Sequence, residues 1–125
     1  MERVLRVLAW ASIITLVALT VVPANYRPTT PAPHDIEHLA AFAIAGILVG
    51  LSFRSPPLVL FVAAVAFAAL LELLQLGIPT RHARLSDFIV NCLGSWIGLT
   101  IGHVVLRAML RARHQGSSRC CHGSS

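Results

Sequence analysis

Apolar residues run in four long blocks, and polar residues gather at the block ends or recur at helical spacing. Leu5–Val22 is almost uninterrupted, relieved by Arg6, Ser12, Thr15 and Thr20. A second block runs from about Ile36 to Phe53 and is closed by Arg54-Ser55-Pro56-Pro57. A third runs from Leu58 to Ile78, closed by Gly77 and Pro79, and a fourth from Leu85 to Leu106, followed by Arg107, Arg111 and Arg113. Each block has about the 17–25 residues that a helix needs to span a bilayer. Proline fixes its own backbone and pushes its predecessor out of the helical region. Pro23–Pro33, which holds four of the seven prolines, therefore reads as an extended loop. Short connections make successive helices antiparallel neighbours. The expectation is an all-α, integral membrane, four-helix antiparallel bundle over residues 1–113, with helices at about 5–22, 36–53, 58–78 and 85–106. The Gly- and Ser-rich residues 114–125 read as a disordered tail.

Composition agrees. The chain has 125 residues, 56% hydrophobic and 12% charged, whereas a soluble domain is about a quarter charged. Its net charge of +5 rests on ten arginines and no lysine. A basic balance can serve nucleic acid, but here most of the surface must meet lipid and aromatics are few. No nucleic-acid partner is expected, and anionic lipid headgroups suit the arginines better. Arg3, Arg6, Arg54, Arg107, Arg111, Arg113 and Arg119 fall on one side of such a bundle, against Arg27, Arg81 and Arg84 on the other. The positive-inside rule then places both termini in the cytoplasm and the protein in the cytoplasmic membrane as a multi-pass chain. Arg3, Arg6 and Val22-Pro23-Ala24 could equally mark a cleaved leader. The length of the run and the spans that follow favour an uncleaved first helix. Cys92 lies mid-helix, while Cys120 and Cys121 are adjacent near the end, so no disulfide framework is expected.

Chemistry concentrates between Leu71 and Gly98, where Glu72, Gln75, Arg81, Arg84, Asp87 and Asn91 interrupt an apolar setting. Polar groups at membrane depth are expensive and tend to face a bundle interior or a cavity. In the expected topology the second helix begins at the outer face with Asp35, Glu37 and His38. The third carries Glu72 roughly 9 Å below its outer end. The fourth starts at the same face with Asp87, and Asn91 lies one turn deeper. Residues far apart in sequence thus converge on one level. Helix phase adds to this, because Glu72 and Gln75 share a face and Asp87, Asn91, Gly94, Gly98 and Gly102 recur at steps of three or four. Gly94-x-x-x-Gly98-x-x-x-Gly102 lets a neighbouring backbone approach closely, and Gly46-x-x-x-Gly50 is its counterpart on the second helix.

Taken singly, each residue has a plain structural role. Glu72 can be a neutral acid holding helices together, and Asp87 a helix-terminal acid serving free N–H groups. Arg81 can neutralise either acid or bind lipid phosphate, and His38 and His103 can be interfacial. Together, His38, Glu72, Gln75, Arg81, Asp87 and Asn91 are more than packing needs and form the candidate binding site. Arginine beside histidine suits a phosphate or carboxylate, which points to an anionic lipid or a lipid-linked envelope precursor. Glu72 and His38 are the candidate acid or base should the pocket be catalytic. No nucleophile motif accompanies them, so a non-enzymatic role leads. No metal is expected, since no metal-binding spacing joins His38, Glu72 and Asp87, and no cofactor is expected. The oligomeric state, a homo-oligomer included, stays open.

Leu71-Glu72-x-x-Gln75, Pro79-x-Arg81 and Asp87-x-x-x-Asn91-x-x-Gly94-x-x-x-Gly98, with Arg81 six residues before Asp87, resemble the VanZ-like family of small membrane proteins. Asp35-Ile36-Glu37-His38-Leu39-Ala40-Ala41-Phe42 is similar to the family's acid–histidine–aromatic opening of the second helix. It departs in the acid's distance from His38 and in lacking a following lysine. The resemblance covers about Asp35–Gly102 and implies a four-helix integral membrane protein of the cell envelope. The family takes its name from a member associated with teicoplanin resistance. Three functions are therefore open: an envelope protein whose pocket binds an anionic lipid and alters glycopeptide susceptibility, a membrane-embedded hydrolase or transferase acting on a lipid, and a structural protein without a ligand.

Overall fold

A computed structural model describes the backbone of residues 2–21, 34–76 and 85–121 and the side chains of residues 2–20, 36–75 and 85–112. Four helices make up the fold: α1 (Glu2–Val21), α2 (His34–Ser52), α3 (Pro57–Leu76) and α4 (Leu85–Cys121). No strand occurs among the described residues. The turn between α2 and α3 follows from its two prolines. The Phe53 N–H still donates to the Val49 carbonyl at 3.0 Å, and then the Pro56-Pro57 pair stops the helix. Pro57 opens α3 at the one helical position where a missing N–H does no harm. The Pro56 carbonyl accepts from the N–H groups of Val59 (3.0 Å) and Leu60 (3.3 Å). Residues 22–33 and 77–84, which include Pro23, Arg27, Pro79, Arg81 and Arg84, lie outside the described residues.

α4 ends far beyond Leu106, where the apolar pattern stops. Helical backbone continues to Cys121 and takes in residues 114–121 of the segment expected to be disordered. Locally, Arg107-Ala108-Met109-Leu110-Arg111-Ala112-Arg113 is an unbroken run of strong helix formers. The end of an apolar run marks the end of the lipid-facing surface, not the end of the helix.

α1, α3 and α4 contain stretches long and apolar enough to cross a membrane, at Glu2–Thr20, Pro57–Gln75 and Leu85–Ala112. The apolar part of α2, Ile36–Ser52, is shorter. α2 is also the helix most enclosed by its neighbours. It packs along α4 through the most extensive interface of the fold and against α1 on its other side, while α3 packs on α4 and touches α1. Successive helices alternate in direction, so α2 and α4 run parallel. Their register is constant: Leu39 lies beside Gly94, Ala43 beside Gly98 and Ile47 beside Gly102. A Cβ on Gly94 would stand 2.6 Å from the Leu39 carbonyl oxygen, and one on Gly46 would stand 2.7 Å from that of Ser95. One on Gly98 would overlap the Ala43 carbonyl. Gly50 and Gly102 meet the opposing backbone in the same way. Small residues here let two backbones touch, which is how helices associate where lipid offers no hydrophobic driving force.

The fold is apolar outside. Val62, in the second turn of α3, is 60% exposed, and Trp10, Ile14, Leu73, Ile97 and Val104 are also exposed. Inside, Leu16, Phe42, Ala45 and Leu71 form a small core backed by Val17, Ala41 and Phe67. A T-shaped contact between Phe61 and Trp96, with ring centroids 5.8 Å apart, joins α3 to α4.

Candidate functional site

The site is built as two stacked layers. Leu16, Phe42 and Leu71, one from each of α1, α2 and α3, meet in the core, and Ser95 of α4 lines the same cavity as Leu16 and Phe42. One helical turn towards the end where α2 and α4 begin, each helix replaces that residue with a polar one. Thr20 follows Leu16, His38 precedes Phe42, Gln75 follows Leu71 and Asn91 precedes Ser95. The strides are four residues in each case because i and i+4 lie above one another on a helix. Thr20, Gln75 and Asn91 are buried, Asn91 to 2% exposure, and His38 is half-buried.

Hydrogen bonds fix part of this layer. His38 Nδ1 and Asn91 Oδ1 are 3.1 Å apart, joining α2 to α4. An amide oxygen only accepts, so the His38 Nδ1–H donates this bond. The His38 ring also stacks on Phe42, with centroids 6.4 Å apart and planes 16° from parallel. Thr20 Oγ1 donates to the Leu16 carbonyl at 2.7 Å, and Ser95 Oγ donates to the Asn91 carbonyl at 2.8 Å. These back-bonds satisfy hydroxyls that could find no water at this depth.

Acidic groups surround the layer. Both carboxylate oxygens of Glu72 are sealed from solvent, as is Oε1 of Glu37. Asp87 sits in the first turn of α4, half-buried, and accepts from the Ser86 hydroxyl at 3.3 Å. It is one turn outward from Asn91, at the rim rather than in the layer. The expected residues thus separate into groups. His38 and Asn91 are bonded, Gln75 shares their level with Glu72 beside it, Asp87 edges the rim, and Arg81 lies outside the described residues.

Two residues of the arrangement escaped sequence reading. Thr20 passes for an ordinary hydroxyl at the end of an apolar run, and Ser95 for filler between Gly94 and Gly98. Phe42 is visible in the sequence only as the aromatic that follows His38. Ser95 and Phe42 share a signal, since each lies four residues beyond a polar position already identified on its own helix, Asn91 and His38.

Beneath the polar layer lies a partly open cavity of about 270 Å³ between all four helices, walled by Trp10, Phe42, Phe67, Ser95 and Leu99 among others. Apart from the Ser95 hydroxyl and the Trp10 indole its walls are apolar. An apolar cavity of about 150 Å³ already stays dry and takes up small hydrocarbons, so this space suits a hydrocarbon chain. Among the described residues no three His, Cys, Asp or Glu side chains are grouped to hold a metal ion.

A family model described as VanZ/LLP1 matches residues 4–107, and the chain belongs to that family. No curated protein and no solved structure matches the chain.

Proposed function

We propose that this member of the VanZ/LLP1 family is a multi-pass protein of the cytoplasmic membrane, with both termini in the cytoplasm, that binds an anionic lipid or lipid-linked envelope precursor. The observation that carries this reading is the polar layer of Thr20, His38, Gln75 and Asn91, set one turn above an apolar cavity of about 270 Å³. A lipid divides its chemistry in the same way, polar at the head and apolar along the chain. In this reading Arg81 holds the anion through paired hydrogen bonds, Asp87 and Asn91 position Arg81 and the helix end, and Glu72 and His38 line the pocket. The hydrocarbon chain enters the cavity below Phe42. A protein holding such a lipid in the outer leaflet would alter how teicoplanin and related glycopeptides reach the envelope.

An enzymatic alternative rests on one observation, the burial of both Glu72 carboxylate oxygens. In that reading Glu72 exchanges a proton with the bound lipid, with His38 as a second acid or base, in a hydrolase or transferase acting on a lipid. Glu72→Gln separates the readings, because it keeps the hydrogen-bonding shape and removes the proton.

The test is drug susceptibility, teicoplanin included, in a strain lacking the gene and complemented with wild type or Asp87→Ala. Immunoblots of membranes establish equal protein. The lipid-binding reading expects wild type to restore the phenotype and an equally abundant Asp87→Ala to fail. Full activity of that variant would displace the site, and its disappearance from membranes would make the cluster structural.

A further inference from the structure

The opposite end of the bundle holds a second site. Here α1 begins, α2 ends and α4 continues past Leu106, enclosing a pocket of about 180 Å³. Its polar wall comes from Glu2, Arg6, Ser52 and Arg54, and its apolar wall from residues such as Leu51, Leu106 and Met109. Arg54 Nη2 bonds Glu2 Oε1 at 2.8 Å, with both side chains about two-thirds exposed (63% and 65%). Among the described residues Glu2 is the one acid at this end, since Glu37, Glu72 and Asp87 lie at or near the other. Against it stand Arg3, Arg6, Arg54, Arg107 and Arg111, all exposed. Among the described residues the pair Glu2–Arg54 therefore leaves Arg6 and the neighbouring guanidinium groups without a compensating acid.

From this juxtaposition we infer that the pocket binds one anionic phospholipid, its phosphate between Arg6 and Arg54 and its chain along Leu106 and Met109. Charge complementarity selects the headgroup. Guanidinium forks match phosphate oxygens with two parallel hydrogen bonds, and basic pockets between membrane helices are where anionic headgroups lodge. The position selects a lipid over free phosphate. Met109, exposed, continues the pocket wall onto a surface that is apolar up to Val104 and Val105, so a chain attached to the phosphate finds apolar contact. Glu2 competes for Arg54, which makes it a brake on binding rather than a ligand. This site does not depend on the polar layer at the other end.

The full chain, purified in a mild detergent and mixed with phosphatidylglycerol or phosphatidylcholine of identical chains, is examined by native mass spectrometry. Wild type retains one phosphatidylglycerol in preference to phosphatidylcholine. Arg6→Gln/Arg54→Gln loses that preference by about tenfold or more, with helicity by circular dichroism unchanged. Glu2→Gln moves retention the opposite way, upward, which a general loss of structure would not do. Made on a His38→Leu/Asn91→Leu background, in which the polar layer cannot contribute, the double arginine substitution causes the same loss. Equal retention of the two lipids by wild type, or undiminished preference in the double arginine variant, overturns the inference. Displacement of the lipid by inorganic phosphate at millimolar concentration would show a simple anion site and overturn the lipid assignment.

Discussion

His38 on α2 and Asn91 on α4 are joined by a 3.1 Å hydrogen bond at the level where the parallel backbones of these two helices begin to touch. One turn further along, Gly94 lies against Leu39, and the glycine contacts continue to Gly102. The bond and the glycines therefore act as one device. Small residues bring the helices close, and the closeness puts an imidazole within reach of an amide on a helix 53 positions away in sequence.

Because a Cβ on Gly98 would overlap the Ala43 carbonyl, Gly98→Ala should destabilise the bundle by about 1–3 kcal/mol, the usual range for overpacking. Ala66→Leu, on the exposed face of α3, should be near neutral. Thermal unfolding of the purified protein in detergent compares them. Equal stability of the two variants would contradict the close approach of α2 and α4.

The His38–Asn91 bond should give a coupling energy of about 0.6 kcal/mol, and below about 1.7, in a double-mutant cycle of His38→Ala and Asn91→Ala. Reversible unfolding in mixed micelles measures it. Strict additivity would mean that the bond contributes nothing to the bundle.

Val62, in the second turn of α3, is 60% exposed on the surface that faces lipid. Val62→Arg should disfavour insertion by less than the roughly 2.5–3.5 kcal/mol that arginine costs at the centre of a span, whereas Val62→Leu should not. Alkaline extraction of membranes reads the difference, and a fully membrane-retained Val62→Arg would place α3 elsewhere.

Arginine placement is the basis of the proposed orientation. In a background with Cys92, Cys120 and Cys121 replaced by serine, Thr29→Cys should react with an impermeant maleimide in intact cells. Ser118→Cys should react only after permeabilisation. The reverse pattern would invert the proposed topology and move the polar layer to the cytoplasmic leaflet.

Fold class and family were legible in the sequence because both rest on local regularity. Four apolar runs broken by Pro23, Pro56-Pro57 and Pro79 specify four helices, and the stride Asp87, Asn91, Gly94, Gly98, Gly102 marks one face of α4. Periodicity identifies a buried face without identifying its neighbour. The stride alone does not name the neighbour; Gly46-x-x-x-Gly50 does, as the counterpart on α2, and these glycines pack against the α4 backbone. What the pattern leaves out is the register, Leu39 beside Gly94 and Ala43 beside Gly98. Thr20 and Ser95 were invisible for a related reason, since a hydroxyl bonded to its own helix backbone has no sequence partner to reveal it. α4 outran its apolar run because helix propensity persists through Arg107–Arg113 after the lipid-facing pattern has stopped.

The most direct measurement is the lipid content of the purified protein. It is made in an Arg6→Gln/Arg54→Gln background, so that only the polar layer of His38, Gln75 and Asn91 is read. Lipid mass spectrometry should find one anionic or lipid-linked species enriched over the bulk membrane. Adding His38→Leu and Asn91→Leu should return the content to bulk composition while circular dichroism stays the same. Bulk composition before that change, or the same enrichment after it, would contradict a lipid site in the polar layer.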